Sequence, residues 1–455
     1  MLSIDFLKKD IPLDIKLAGM EYMDAVRNRN VYETLTKYVD EHIVRKEVVP
    51  GITEEVFDWD RADKDAFAEL IMRETGIGVT IVDGNEYTPF AIETGFLSPN
   101  HILNNKGIDQ LLESKYSSVS QAMKVLKTDV LKGWVEPKTG RVGGDFSKIK
   151  FNLHIGWIPA AILDTKVLKK HNVSVAQASA IAILHELGHA FSAFYFLARQ
   201  TVDLAMVSIT SRMIANAEVG TRKIALYKEF AKELEVVEKV KDQDIERLET
   251  EDDVCLFLNK MVTNRNIRST LSLGIADRAS EVYADIYAMK MGCPETLISL
   301  FASIYSTKPN RILYSALMFS PFYLFPILGA SAVMLVPSLM VLGLMFFFAD
   351  VFTVAPNEVY DSPYRRSKAI LREYAGEISA AKGLSSTEKA DMLKRAKKME
   401  EMVNEMKDSL EGTWFQRMSG WIVSGSEFKY SDFDHYTQEI LNHNLSLYTE
   451  YFKKD

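Results

Sequence analysis

Thirty-eight consecutive residues, Ile312 to Ala349, carry no charged side chain. Water offers such a run nothing, so it belongs either in a lipid bilayer or inside a large core. One spanning helix takes about 20 residues, which makes the run nearly long enough for two. Gly329-Ala330-Ser331 fits the tight turn of a helical hairpin with arms 312–328 and 332–349. Pro321, Pro326 and Pro337 would kink those arms, which membrane helices tolerate better than soluble ones. Lys308 and Arg311 precede the block, and Arg365, Arg366 and Lys368 follow it. Basic residues on both flanks fit a hairpin whose two ends face the cytoplasm. The expectation over 311–350 is a transmembrane hairpin, with a pair of fully buried core helices as the alternative.

The rest of the chain reads as ordinary globular protein. At 455 residues it is long enough for two or three domains, and 47% hydrophobic with 25% charged residues is a normal balance. The net charge of -8 gives nucleic-acid binding no electrostatic support. Two cysteines, Cys255 and Cys293, are too few for a disulfide scaffold or a cysteine-rich zinc site, so any metal must be held by His and carboxylate. The first ten residues lack the pattern of a secretory signal, which leaves the Asn-x-Ser/Thr matches at Asn172 and Asn444 without meaning.

Apolar residues at helical spacing (Tyr22, Val26, Tyr32, Leu35, Val39) suggest helices joined by short loops over 1–75, broken at Pro50-Gly51. Residues 77–95 carry a β-hairpin signal, two runs rich in β-branched and aromatic residues around Asp83-Gly84-Asn85. Helix follows to about Lys132, and Ile149 to Trp157 reads as a further strand after Gly140, Gly143 and Gly144. A long apolar helix is expected from Val173 to about Arg199, then a solvated, charge-rich helical hairpin over 220–255. Helix resumes from about Arg278 to Met291 and stops at Gly292-Cys293-Pro294, and a charged amphipathic helix covers about 384–411.

The long apolar helix contains His185-Glu186-Leu187-Gly188-His189. Histidines four apart lie one turn apart on the same helix face, so both rings can reach one metal. Glu186 then stands near the open coordination position, where a carboxylate can take a proton from a zinc-activated water. Zinc needs a third protein ligand. A metzincin would supply a histidine shortly downstream, but Ala190 to Arg199 contains none. A glutamate on a second helix is the other solution. Glu281 has Asp285 one turn on, placed to accept a hydrogen bond from the far nitrogen of a ligating histidine. Glu218 is the rival, without such a partner four residues later.

Arg278-x-x-Glu281-x-x-Ala284-Asp285, about ninety residues after the His-Glu-Leu-Gly-His helix, resembles the signature of the membrane-associated gluzincins. These include the CAAX prenyl proteases and the HtpX-like heat-shock proteases. The resemblance covers roughly 145–375. It implies a zincin-type peptidase core with a small sheet, one zinc ion, and a substrate that pairs as an extra strand along a sheet edge. Lys150 to Trp157 is the expected edge. The family also carries a late His-Pro followed by an arginine near the active site. Here Asp361-Ser362-Pro363-Tyr364-Arg365-Arg366 stands in that place without the histidine. Arg365, Tyr283 and His154 are the candidate oxyanion stabilisers.

These readings combine into a mainly helical α+β chain. Its parts are a helical N-terminal region (1–75), a peptidase core (76–310, completed by 351–380), the apolar hairpin (311–350) and a helical C-terminal region (381–455). The expected activity is zinc-dependent endoproteolysis of a protein or peptide at a membrane, with the active site on the cytoplasmic side. His185, His189 and Glu281 would hold zinc, Glu186 would act as general base, and Asp285 would orient a ligand. If Glu281 and the Arg365 region share one site, the chain must return to its starting side, which a two-pass hairpin achieves. The alternative is an assembly component, such as part of a viral particle, that retains a peptidase fold and uses its helical termini as interaction surfaces.

Overall fold

The computed structural model describes residues 29–84, 90–159, 163–236, 240–268, 277–305, 363–380 and 385–405. Both arms of the apolar hairpin, and Tyr22 and Val26, lie outside these residues.

The chain begins with helix α1 (Arg29–His42), followed by β1 (Ile43–Val49), β2 (Ile52–Phe57) and α2 (Arg61–Thr75). Next come β3 (Gly78–Gly84), β4 (Phe90–Ile92) and the helices α3 (Pro99–Ile102), α4 (Asn105–Glu113) and α5 (Val119–Val125). Strands β5 (Gly133–Glu136), β6 (Arg141–Gly144) and β7 (Lys150–Gly156) close the sheet-bearing part. Thereafter the described chain is helical: α6 (Thr165–Lys170), α7 (Val175–Ala215), α8 (Gly220–Glu233), α9 (Asp242–Glu246), α10 (Glu251–Arg268), α11 (Asp277–Met291), α12 (Pro294–Tyr305), α13 (Pro363–Ala380) and α14 (Ser386–Glu405). The class is α+β and mostly helical, as expected.

Helix α7 organises the molecule. Ser174 and Gln177 form a reciprocal capping box at its start, which satisfies two of its free N–H groups. Its apolar residues lie all round the cylinder, the pattern of a helix enclosed by protein. Helices α1, α5, α8, α10, α11 and α12 and strand β4 pack along it. Among the described residues it is the one helix long and apolar enough to cross a membrane, yet 67% of its apolar window is buried by the fold itself. The packing accounts for its composition.

The sheets correct three expectations. Residues 43–57 form an antiparallel hairpin, Ile43 opposite Phe57 and Val49 opposite Ile52, where helix was expected. Pro50-Gly51 is its turn: proline presets one dihedral and Gly51 takes φ +83°, the left-handed region glycine enters freely. The β-branched residues flanking that turn (Ile43, Val44, Val48, Val49, Ile52, Val56) outweigh the helical charge pattern.

Secondly, β3 and β4 are not hairpin partners. The order is β3-β7-β4, with β7 parallel to β3 and antiparallel to β4. The third correction follows from this, because Lys150–Gly156 is the central strand and not an edge. Phe151, Leu153 and Ile155 are fully buried on one face of β7, while Asn152 and His154 take the other. Pairing on both sides satisfies the backbone of a strand buried this deeply. Its neighbour β4 becomes the outer strand beside α7.

Candidate metal centre

The site lies where α7 and α11 cross. Gly188, in the middle of the His-Glu-Leu-Gly-His segment, sits directly against Ala284. A Cβ at Gly188 would come within 2.7 Å of the Ala284 Cα and 3.0 Å of the Tyr287 Cβ. Only glycine allows the two backbones this close. The approach brings Glu281, one turn before Asp285, up to both histidines.

The His185 Nε2 is 3.3 Å from the Glu281 Oε2, and the His189 Nε2 is 3.4 Å from the Glu281 Oε1. The two rings stand edge to face, with centroids 4.8 Å apart. One donor atom from each of the three residues lies within 4.8 Å of the others. Tetrahedral zinc with bonds of about 2.0–2.2 Å places neighbouring donors about 3.3–3.6 Å apart. The two measured separations agree with that spacing, and two imidazoles with one carboxylate are a donor set zinc accepts. The residues therefore fit a zinc ion.

Behind the candidate donors, the His185 Nδ1 lies 3.0 Å from the Asp285 Oδ1. That contact directs the other ring nitrogen toward the site. Asp285 is also gripped by Arg366 from α13, whose Nε and Nη2 donate to its two oxygens at 2.7 and 2.6 Å. The same Nη2 is 3.3 Å from the Glu281 Oε2, and the guanidinium lies over the Phe301 ring at 4.5 Å.

Glu186 follows His185 on the helix and is partly open to solvent. The Ile92 N–H of the outer strand β4 hydrogen-bonds its carboxylate. Strand alternation explains why: the Glu93 N–H donates inward to the Asn152 carbonyl, so the polar groups of Ile92 point outward from the sheet.

Left to themselves, these side chains tune one another strongly. Burial pushes the Glu186 carboxyl up to about 7, nearby Glu281 adds to this, and His185 opposes it. Burial works against charge on His185 too, but the Asp285 and Glu281 carboxylates outweigh it and hold the ring up at about 10. His189 is driven down to about 4, first by burial and then by the charge of His185. Burial would raise Glu281, yet His185 and Arg366 bring it down to about 2. Asp285 is lowered as well, with burial overcome chiefly by Arg366 and His185.

The other expected residues are placed elsewhere. His154 is on the face of β7 opposite its buried apolar residues, its Nε2 3.0 Å from the Glu93 Oε1, with Asn152 donating to the other oxygen at 2.7 Å. Tyr283 is buried against Phe196, ring centroids 4.7 Å apart. Arg365 belongs to α13, but its side chain is outside what the structure describes. The arginine brought to the site is the next one, Arg366. A signal for it was present in the sequence: Ile370, Leu371, Tyr374 and Ile378 form the buried stripe of α13, and helical phase puts Arg366 and Ser367 on that stripe. Glu218 lies just beyond the end of α7, and the donor cluster contains Glu281 instead.

Comparison with protein-family models, curated proteins and solved structures returned no match.

Proposed function

We propose that the protein is a zinc-dependent metalloendopeptidase of the gluzincin type, acting at a membrane. The observation that carries this reading is the convergence of His185, His189 and Glu281 at zinc-like donor spacing, with Glu186 next to His185 on the same helix. A zinc ion, when bound, supplies positive charge that polarises a peptide carbonyl and acidifies water.

His185, His189 and Glu281 would hold the ion, and the Asp285 carboxylate 3.0 Å from the His185 Nδ1 favours the ligating tautomer. Glu186 takes the proton of the attacking water on its carboxylate and returns it to the leaving amine. The outer strand β4 gives an extended peptide backbone a partner beside Glu186. Its outward Phe90 groups and the Ile92 carbonyl take the role first expected of Lys150 to Trp157. The membrane part of the proposal rests on the uncharged run 312–349.

The test is metal content beside hydrolysis of a mixed peptide library. Wild type is expected to carry about one zinc per chain, lost in His185→Ala and in Glu281→Ala. Glu186→Gln is expected to keep zinc and lose hydrolysis. Peptide cleavage retained in Glu186→Gln would defeat the mechanism, and stoichiometric zinc without turnover would favour the assembly role instead.

A further inference from the structure

Among the described residues, two ion pairs with buried cations join α11 to α13, and they differ in where they lead. One is Lys290 with Glu373, Nζ to Oε1 3.1 Å, at the far end of α11 from the donors. The other is Arg366 with Asp285 and Glu281. Both cations are almost fully buried. The Arg366 pair is bidentate, the geometry that fixes a carboxylate in orientation as well as in place. Its guanidinium in turn lies over the Phe301 face of α12.

From this geometry, and resting on the zinc site proposed above, we infer that Arg366 is the positioning residue of the centre. Its fork fixes the Asp285 carboxylate, Asp285 fixes the ring of His185, and the same guanidinium restrains the Glu281 oxygen that faces His185. Two of the three donors thus have their orientation set from α13, a helix that supplies no ligand itself. Without the fork, Asp285 and Glu281 are two carboxylates one turn apart on the same helix, and their mutual repulsion moves both. Lysine in this position keeps the charge but offers a point cation with no planar fork. Outer partners of this kind contribute about ten- to a hundred-fold to metal affinity.

The second pair supplies the control. It ties the same two helices together with a cation buried to the same depth, but touches no donor. Zinc affinity is measured by competition with a chromophoric chelator, alongside thermal unfolding, for wild type, Arg366→Lys and Lys290→Met. Arg366→Lys is expected to weaken zinc binding at least ten-fold. Lys290→Met is expected to lower the melting temperature and leave zinc affinity unchanged. Should Arg366→Lys fail to fold, Arg366→Met, which keeps an unbranched stem of similar length, carries the measurement. Unchanged affinity in the Arg366 variants overturns the inference, and so does an equal loss in Lys290→Met, which would reduce the clamp to ordinary helix packing. A wild type that binds no zinc overturns the proposed function itself and is told apart by that result.

Discussion

The sheet-bearing part of the molecule and its helical part are both well buried, but they bury different things. From residue 29 to 159 Thr75 is the one fully buried polar residue among those described, and it is satisfied by the Ile71 carbonyl. The helical part buries Asp203, Glu281, Asp285, Lys290, Arg366, Lys368 and Glu400. An apolar core gains stability from every group it removes from water, at roughly 25 cal/mol per Å². Buried charge costs several kcal/mol per ion and only well-made pairs offset it. The first part is therefore organised for stability. The second holds charges in an arrangement that stability alone would not select.

Substitutions can break that contrast, and the largest effect is expected at Asp285. Asp285→Ala leaves the Arg366 guanidinium buried without its bidentate partner, a loss of about 3–5 kcal/mol by denaturant unfolding, with zinc binding lost as well. Phe151→Ala, in the central strand, is expected to cost a similar 3–5 kcal/mol or so by removing a buried ring, yet to leave the zinc affinity of the folded fraction unchanged. Equal damage to metal binding by both would erase the distinction between the two parts.

Gly188→Ala tests the crossing that assembles the centre. The new methyl meets Ala284 backbone at 2.7 Å, so the helices must separate. A cost of about 1–3 kcal/mol with a clear fall in zinc content is expected, and normal zinc content would show that the close approach is dispensable.

Chelation sharpens the comparison through pH. In protein stripped of metal, the His185 ring titrates at about 10 against 6.5 for the free side chain, because the Asp285 and Glu281 carboxylates outweigh its burial. The stabilisation is complete below pH 6.5 and is lost as pH rises through about 10. Zinc must displace that proton, so zinc affinity is expected to rise about ten-fold per pH unit across this window. Calorimetry in buffers of different ionisation enthalpy reads the released proton directly, and a titration with no proton release would place His185 outside the ligand set. At the small end, Gly51→Ala forces a left-handed residue in open solvent. The expected cost is about 1 kcal/mol, with no effect on zinc.

How far the sequence could be read follows the same division. The donors and Asp285 were legible because their relations are local: one helical turn separates His185 from His189, and another separates Glu281 from Asp285. Arg366 was missed by a single residue because Arg365 was weighed without setting the phase of α13. The sheets were misread for a different reason. The alternating apolar residues of 77–95 and 149–157 identify strands, but not which strand lies between the others. That depends on pairing between distant segments, and the register of β7 against both neighbours is invisible in any one of them.

The parallel pairing of β3 with β7 bears on when the candidate centre can form. Gly78 meets Lys150 and Gly84 meets Gly156 only after the whole intervening chain has been accommodated. Closing so large a loop carries an entropic cost that no local contact repays, which is the feature that slows folding in domains rich in distant contacts. The candidate donors come from segments farther apart still, 185–189 and 281, and the arginine at 366 comes later again. A nascent chain thus cannot assemble the zinc ligands until most of it has been synthesised. On the activity proposed above, the chain would be harmless through the period when its own unfolded segments are the nearest substrate.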